Sequence, residues 1–281
     1  MTVPAAFFQT TAPVLANYAL AHQTYLIRLE AAAIARAIRP GQFVMLRLPH
    51  TSDPLLGRPL ALYDTVLDDS GQPMGLDIVY LVVGKVTTLM THLRPGMSVE
   101  VWGPLGNGFP DPVKHGDVAL VAGGIGQTPF LAQVRELLGG RGYGGQHARR
   151  RAERVTLYYG VRTANLAAGV DDFRHAGAEV QLASNDGSLG FHGFVTDLLD
   201  KQGKPNHVFG CGPEPMLKAL ADLCGRRGWP CHLSLETPMA CGVGICFSCA
   251  TPVKTRDGWD YKRVCVDGPV FDAAALHWTD G

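Results

Sequence analysis

The sequence has no excess charge of either sign: 25 Lys and Arg offset 25 Asp and Glu. A balanced chain offers no field to draw in a polyanion, which argues against a dedicated nucleic-acid binder. Charged residues are few, at 18% against 46% apolar, so the chain buries real cores and is not a disordered one. No apolar run reaches the length of a membrane span. The opening stretch MTVPAAFFQTTAPVLANYALA has no basic region ahead of its apolar residues, as a secretory signal would. The expectation is a cytoplasmic protein without a membrane partner. An even set of cysteines is missing too: there are seven, and four crowd between Cys241 and Cys265. In a reducing compartment such a cluster points to metal rather than to cross-links. Glycine is plentiful, at 34 residues with 19 Pro, and predicts many tight turns.

A length of 281 residues allows about two domains and a small third. From Ala12 to about Asp111, short alternating runs such as Thr24-Tyr-Leu-Ile-Arg-Leu, Gln42-Phe-Val-Met-Leu-Arg-Leu, Leu76-Asp-Ile-Val-Tyr-Leu-Val-Val and Ser98-Val-Glu-Val-Trp are broken by turn signals. This spacing predicts a small antiparallel barrel over residues 1–113. Around His115 the texture changes: Val118-Ala-Leu-Val-Ala, Val155-Thr-Leu-Tyr-Tyr and Val180-Gln-Leu-Ala alternate with helical patterns at 128–138, 196–201 and after Pro213. Strands alternating with helices predict a parallel α/β domain over 114–223. Residues 224–281 are short, glycine-rich and cysteine-rich, and read as a small domain dependent on its metal. Residues 139–154, Gly139-Gly-Arg-Gly-Tyr-Gly-Gly-Gln-His-Ala-Arg-Arg-Arg-Ala-Glu-Arg, fit neither pattern and predict a mobile loop, with a partner contact or phosphate grip as the alternative.

The most specific motif is Cys241-Gly-Val-Gly-Ile-Cys246-Phe-Ser-Cys249 with Cys265 beyond it. C-x4-C-x2-C with a distant fourth Cys is the spacing plant-type ferredoxins use for a [2Fe–2S] cluster. Gly242 and Gly244 allow the positive φ and close backbone approach that such a loop needs. Structural zinc is the alternative, although it is usually built from two Cys-x2–4-Cys pairs and only one occurs here. Cys211, Cys224 and Cys231 read as buried thiols. A second motif, Ala122-Gly-Gly-Ile-Gly-Gln-Thr-Pro129, sits between an apolar strand and a helix, where backbone amides can face a diphosphate. It is joined by Phe209-Gly-Cys-Gly-Pro-Glu-Pro-Met216 at the end of a later strand, and in an open parallel sheet both fall on the ligand side. Asp186, after another strand, is a candidate acceptor for an adenosine ribose hydroxyl, with an ordinary Asx turn as the other reading. Barrel motifs complete the set: Arg58-Pro-Leu-Ala-Leu-Tyr63, Tyr80-Leu-Val-Val-Gly-Lys-Val-Thr87-Thr88 and Gly103-Pro-Leu-Gly-Asn-Gly-Phe109. An Arg beside a proline-stiffened strand can fork onto a diphosphate. His92, His115, His192 and His207 show no metal-like pairing and read as solvated or packing histidines.

Taken in order, these motifs, ending in Glu-x-x-Met-Ala-Cys-Gly-x-Gly-x-Cys-x-x-Cys, resemble the ferredoxin reductase-like electron-transfer subunit of two-subunit, NAD-dependent dihydroorotate dehydrogenases. The likeness runs from about Ala12 to Phe271, and its most specific block is Ser234 to Cys249. It implies a multidomain, ferredoxin reductase-like fold of α/β plus all-β class. A six-stranded antiparallel barrel would bind FAD, a parallel-sheet domain would bind NAD, and a C-terminal piece would hold a [2Fe–2S] cluster. It also implies a catalytic partner subunit carrying FMN, in a heterotetramer of two of each. Electrons from dihydroorotate oxidation in the partner would pass through the cluster and FAD to NAD⁺, in pyrimidine biosynthesis. Carried onto matching positions, Arg58, Pro59, Leu60, Tyr80 and Thr87 would contact FAD, with Ala61, Val79, Leu81 and Val86 at the same site. Gly123, Gly124 and Gly126 would line the nicotinamide nucleotide beside Cys211, Gly212 and Pro213, and Cys241, Cys246, Cys249 and Cys265 would hold the cluster. The family usually has Ser at Ala61, Arg at Leu81 and Gly at Val86, so FAD would be held more loosely, with Lys85 a candidate replacement for the cation missing at Leu81. The alternative within the same build is a FAD and [2Fe–2S] reductase subunit of a hydrogenase, sulfite reductase or ferredoxin-dependent transhydrogenase, since relatives of the family serve those enzymes. A zinc-stabilised binding module without redox activity is the alternative from another class.

Overall fold

The computed structural model describes residues 7–49, 51 and 53–278; the reading of the amino-terminal stretch falls in part on residues 1–6, outside the described residues. The first half forms β1 (Phe8–Ala21), β2 (Thr24–Glu30), α1 (Ala32–Ala37), β3 (Phe43–Arg47), β4 (Arg58–Ala61), β5 (Asp64–Leu67), β6 (Pro73–Leu81), α2 (Lys85–Met90) and β7 (Ser98–Leu105). Alternating burial along β2 and β7 reflects a sheet with one face on a core. The strands run β4-β3-β7-β1-β2-β6-β5, antiparallel throughout. The chain passes from one edge to the other at a corner: Leu62 N donates to Gln42 O at 3.1 Å and Tyr63 N to Asp77 O at 3.0 Å. The sheet therefore has seven strands where six were expected, because this corner divides the Arg58–Leu67 stretch into β4 and β5 on opposite edges.

The second half forms β8 (Asp117–Gly123), a 3₁₀ turn (Gly124–Gln127), α3 (Phe130–Leu137), β9 (Arg154–Val161), α4 (Val170–His175), β10 (Glu179–Ser184), β11 (Phe191–His192), α5 (Val195–Gln202), β12 (His207–Cys211), α6 (Glu214–Arg227) and β13 (Cys231–Ser234). Then come β14 (Ala250–Thr255), β15 (Gly258–Arg263), α7 (Val264–Asp267) and β16 (Val270–Asp272). The sheet order is β11-β10-β9-β8-β12-β13-β16, with only β16 antiparallel. The strand order reverses between β8 and β12, which makes their carboxyl ends the crevice where open α/β sheets bind ligands. The expected boundary at 223/224 falls inside α6, and β13 and β16 belong to this sheet, because β13 completes the parallel pairing of β12. The cysteine-bearing segment is an excursion between β13 and β16, closed at its neck by Leu235 N donating to Pro269 O at 2.9 Å.

Residues 139–154 correct the expectation of a mobile loop, for they strap the second domain to the barrel. Arg141 Nη1 donates to Asp64 Oδ1 at 2.9 Å and to Thr65 O at 2.6 Å, and Tyr143 OH donates to Asp64 Oδ1 at 2.6 Å. Arg135 of α3 lies 3.0 Å from the other Asp64 oxygen. Burial raises the Asp64 carboxyl, and the loop cations oppose that rise. The buried carboxylate requires partners, and Arg141 and Tyr143 of the loop supply them together with Arg135 of α3. Asp64→Ala is expected to lower stability by about 3 kcal/mol, since it strands the cations around the site; urea denaturation of the variant measures it.

A second buried polar pair lies in the parallel sheet, between β12 and β13. His207, fully buried, accepts Val113 N–H at Nδ1 (3.2 Å), which leaves its Nε2–H to donate to His232 Nδ1 at 3.0 Å. Of the two readings of His207, solvated or packing, the structure shows the packing one. Burial holds His207 down to about 4 and also lowers His232, with Asp272 opposing both. The unfolded chain therefore takes up more protons than the folded one below pH 6.5, and stability falls from there to about pH 4, by about 3 kcal/mol for His207 alone. Denaturation midpoints across that window should fall less steeply in His207→Gln, which keeps an acceptor for Val113 without titrating.

Candidate functional site

Where the barrel, the β8/β12 crevice and the start of the excursion meet, they enclose a cleft of about 530 Å³, within the size range of small-molecule sites. Arg58, Pro59, Leu60 and Ala61 of β4, Val79, Tyr80 and Leu81 of β6, and Val86 and Thr87 of α2 all line it. Arg58 is the one cation among the described lining residues. Its Nη1 is held by Leu56 O (2.9 Å) and Gly57 O (3.1 Å), so the guanidinium is oriented while Nε and Nη2 make no hydrogen bond among the described residues. Thr87 Oγ1 accepts the N–H groups of Val83 (3.0 Å) and Gly84 (3.2 Å), which shapes the turn bordering the cleft. Tyr80 turns its hydroxyl away toward Asn17 Oδ1 (3.1 Å) and stacks on Tyr25. Lys85 does not line the cleft; its ammonium pairs with Asp53, so it does not replace the cation absent at Leu81.

From the second domain, Cys211, Ile125, Thr128 and Pro129 reach the cleft, whereas Gly123, Gly124, Gly126, Gly212, Pro213 and Asp186 do not. Two of these glycines serve close packing of the paired turns. A Cβ on Gly126 would stand 2.3 Å from Cys211 O, and one on Gly123 would stand 2.6 Å from Met216 Sδ. Gly124, at φ +55, faces open space. Asp186 Oδ1 accepts Ser188 N (3.0 Å) and Oγ (2.6 Å), which lowers its carboxyl and realises the Asx turn.

The excursion contributes Glu236, Thr237 and Met239, residues to which the sequence reading gave no role. Thr237 Oγ1 is buried without a hydrogen bond, which marks a place for a polar ligand atom. Glu236 opens into the cleft with protein mass behind it, and that burial raises its carboxyl. The lining is predominantly apolar, with Arg58, Glu236 and the hydroxyls of Thr87, Thr128, Ser234 and Thr237 among its polar groups, and so it suits a flat aromatic cofactor bearing a charged tail.

Beyond the cleft, Gly242 and Gly244 take φ +73 and +83 as expected, and the loop brings the four cysteines together as two pairs. Cys249 and Cys265, both buried, have Sγ atoms 3.2 Å apart, while the exposed Cys246 has the half-buried Cys241 as its neighbouring thiol. Ser248 Oγ, 3.2 Å from Cys246 Sγ, holds that thiol down to about 6, and burial pushes Cys265 up to about 12. Val243 N points at Cys241 Sγ from 3.4 Å. Among the described residues, no three His, Cys, Asp or Glu groups converge on one point as a single ion would require. Two pairs of thiols fit a two-iron cluster, with two thiolates to each iron. Arg263 braces the loop, donating to Gly244 O at 3.0 Å and lying over the Phe247 ring. Cys211, Cys224 and Cys231 are buried elsewhere.

Comparison with known proteins agrees with this geometry. The family model for the iron–sulfur cluster binding domain of dihydroorotate dehydrogenase B matches residues 236–277. The chain is 37% identical to the electron transfer subunit of dihydroorotate dehydrogenase B (NAD(+)) from Desulforamulus reducens, over 95% of this chain and 97% of that protein. It is 40% identical to the subunit of the same name from Geobacillus thermodenitrificans, over 94% and 96%. Among solved structures, the NADH-dependent reduced ferredoxin-NADP oxidoreductase superposes with a TM-score of 0.79 at 27% identity, covering 96% of this chain and 90% of that one. Phthalate dioxygenase reductase shares the fold at a TM-score of 0.61 and 19% identity, over 90% and 89%. The chain belongs to the family of electron transfer subunits of dihydroorotate dehydrogenase B.

Proposed function

We propose that this chain is the electron-transfer subunit of an NAD-linked dihydroorotate dehydrogenase, binding FAD in the cleft, NAD at the β8/β12 crevice and a [2Fe–2S] cluster on the four cysteines. The observation that carries this reading is the placement of the cleft, whose wall at Glu236 to Met239 leads directly into the cysteine loop. When bound, the three groups supply two-electron hydride exchange at NAD, single-electron exchange at the cluster, and both at the flavin.

The chain's own residues orient and enclose these groups. Arg58 faces the diphosphate with its free N–H groups, and the turn braced by Thr87 shapes the barrel side of the cleft. Cys211 and Thr128 form the wall shared with the crevice. Asp186 would accept a ribose hydroxyl, which favours NAD over a nucleotide phosphorylated there. A partner of complementary apolar surface, an FMN-bearing catalytic subunit in a tetramer of two of each, would seat on the cluster loop. Ile245 and Phe247 are 80% and 60% exposed there, a sign of an interaction surface.

Co-purification of the native assembly, followed by assay with dihydroorotate and NAD⁺, tests the proposal. The expected result is orotate-forming activity in the assembly, and only NADH-dependent dye reduction in the isolated chain. Recovery of a hydrogenase or sulfite reductase subunit in place of an FMN protein would overturn it.

A further inference from the structure

The barrel motif Gly103-Pro-Leu-Gly-Asn-Gly-Phe109 supplies no residue to the cofactor sites assigned above except Leu105, in the core shared with the cysteines. Its place in the fold gives it another task. The excursion between β13 and β16 holds one two-stranded hairpin and a four-residue helix, too little to keep a fixed orientation by itself. The barrel grips both of its arms. On the first arm, Trp102 Nε1–H donates to Cys241 O at 3.3 Å. The next residue, Gly242, lies so close to the barrel that a Cβ would stand 2.6 Å from Met45 Cγ and 3.0 Å from Leu105 Cδ1. On the second arm, Asn107 N–H donates to Gly268 O at 2.6 Å and Asn107 Nδ2 to Asp267 O at 3.0 Å. These carbonyls end α7, the helix that carries Cys265. Gly106, at φ +70, makes room for this contact, since a Cβ there would meet Pro269 Cδ at 2.5 Å. Pro269 itself lines the flavin cleft.

We propose that Trp102 and Asn107 are positioning residues that hold the two arms of the cysteine excursion against the barrel and so fix the separation between cluster and flavin. The inference rests on the cofactor reading given above. Each residue donates to a main-chain carbonyl within three residues of a ligand cysteine, one from each thiol pair. Neither residue lines the cleft, so their removal leaves the flavin-binding surface intact.

The test is the double variant Trp102→Phe, Asn107→Ala, which keeps an aromatic ring at 102 and the Asn107 main-chain bond while deleting both side-chain donors; Asn107→Ala alone, which leaves the Trp102 indole in place beside Gly57, should show the same change to a smaller degree. FAD, iron and sulfide are first measured in the unmodified protein; absence of flavin or iron there refutes the cofactor reading itself. In stopped flow with NADH, flavin reduction in the variant should match the unmodified protein, while the following electron transfer to the cluster should slow about tenfold or more. In the purified protein with its cofactors in place, tryptic cleavage at Lys262 and Arg263 should quicken about tenfold, as the loss of two hydrogen bonds favours opening. Unchanged rates for both the second phase and cleavage would overturn the proposal. Loss of iron at normal FAD content would overturn it as well, since the residues would then serve cluster retention.

Discussion

Cys249→Ala should strip iron and sulfide from the purified chain and abolish dihydroorotate-dependent NAD⁺ reduction in the assembly. NADH-dependent dye reduction should stay within about twofold, because the thiol and the flavin cleft are separate sites. The effect is large because Cys249 lies at the centre of the site: it is 1% exposed, its Sγ is 3.2 Å from that of Cys265, and its carbonyl accepts Val264 N–H at 2.9 Å. Alanine removes a ligand at a position no neighbouring donor can fill. Cys224→Ala is the control, for that buried thiol sits on α6 against Cys231, and its loss should cost some stability and no iron. Metal analysis of both variants decides the matter; iron retained in Cys249→Ala would contradict the assignment.

Arg58→Ala should raise the dissociation constant for FAD about tenfold to a hundredfold, the scale of losing charge-assisted hydrogen bonds to a phosphate. The cost is concentrated on this residue because Leu81 supplies no cation and Lys85 is engaged by Asp53. Arg58→Lys should recover only part of the affinity, as an ammonium cannot reproduce the fork. Lys85→Ala should leave FAD retention as it was. Fluorescence titration of the flavin-free protein with FAD measures all three, and equal affinities for Arg58→Ala and the unmodified chain would remove Arg58 from the site.

Local signals made most of the strands legible. Alternation exposed β2, β3, β6 and β7, and the apolar runs exposed β8, β9 and β10, because each pattern reflects the face or faces the strand buries. The 14-residue β1 gave no comparable signal: it pairs with β2 and β7 along different parts of its length, so its burial pattern is irregular. The strap over residues 139–154 escaped for a different reason. Its order comes from Asp64, more than seventy residues away, and no local composition reveals a buried carboxylate elsewhere. The His207–His232 pair is likewise made by neighbouring strands of the sheet.

At the site, the cysteine spacing was legible because one loop carries three of the four thiols. Glu236 and Thr237 stood inside the most specific block of the sequence, yet their role as cleft wall depends on β13 placing them opposite the barrel. The glycines of the β8 turn carried a signal with two meanings. Backbone approach was required, but at Gly123 and Gly126 it is the neighbouring turn that approaches.

The most direct measurement is quantitation of iron, sulfide, FAD and zinc in anaerobically prepared protein, with low-temperature paramagnetic resonance after chemical reduction. The account predicts two irons, two sulfides and one FAD per chain, with a signal from the reduced cluster. A colourless protein with one zinc per chain and no signal would contradict it.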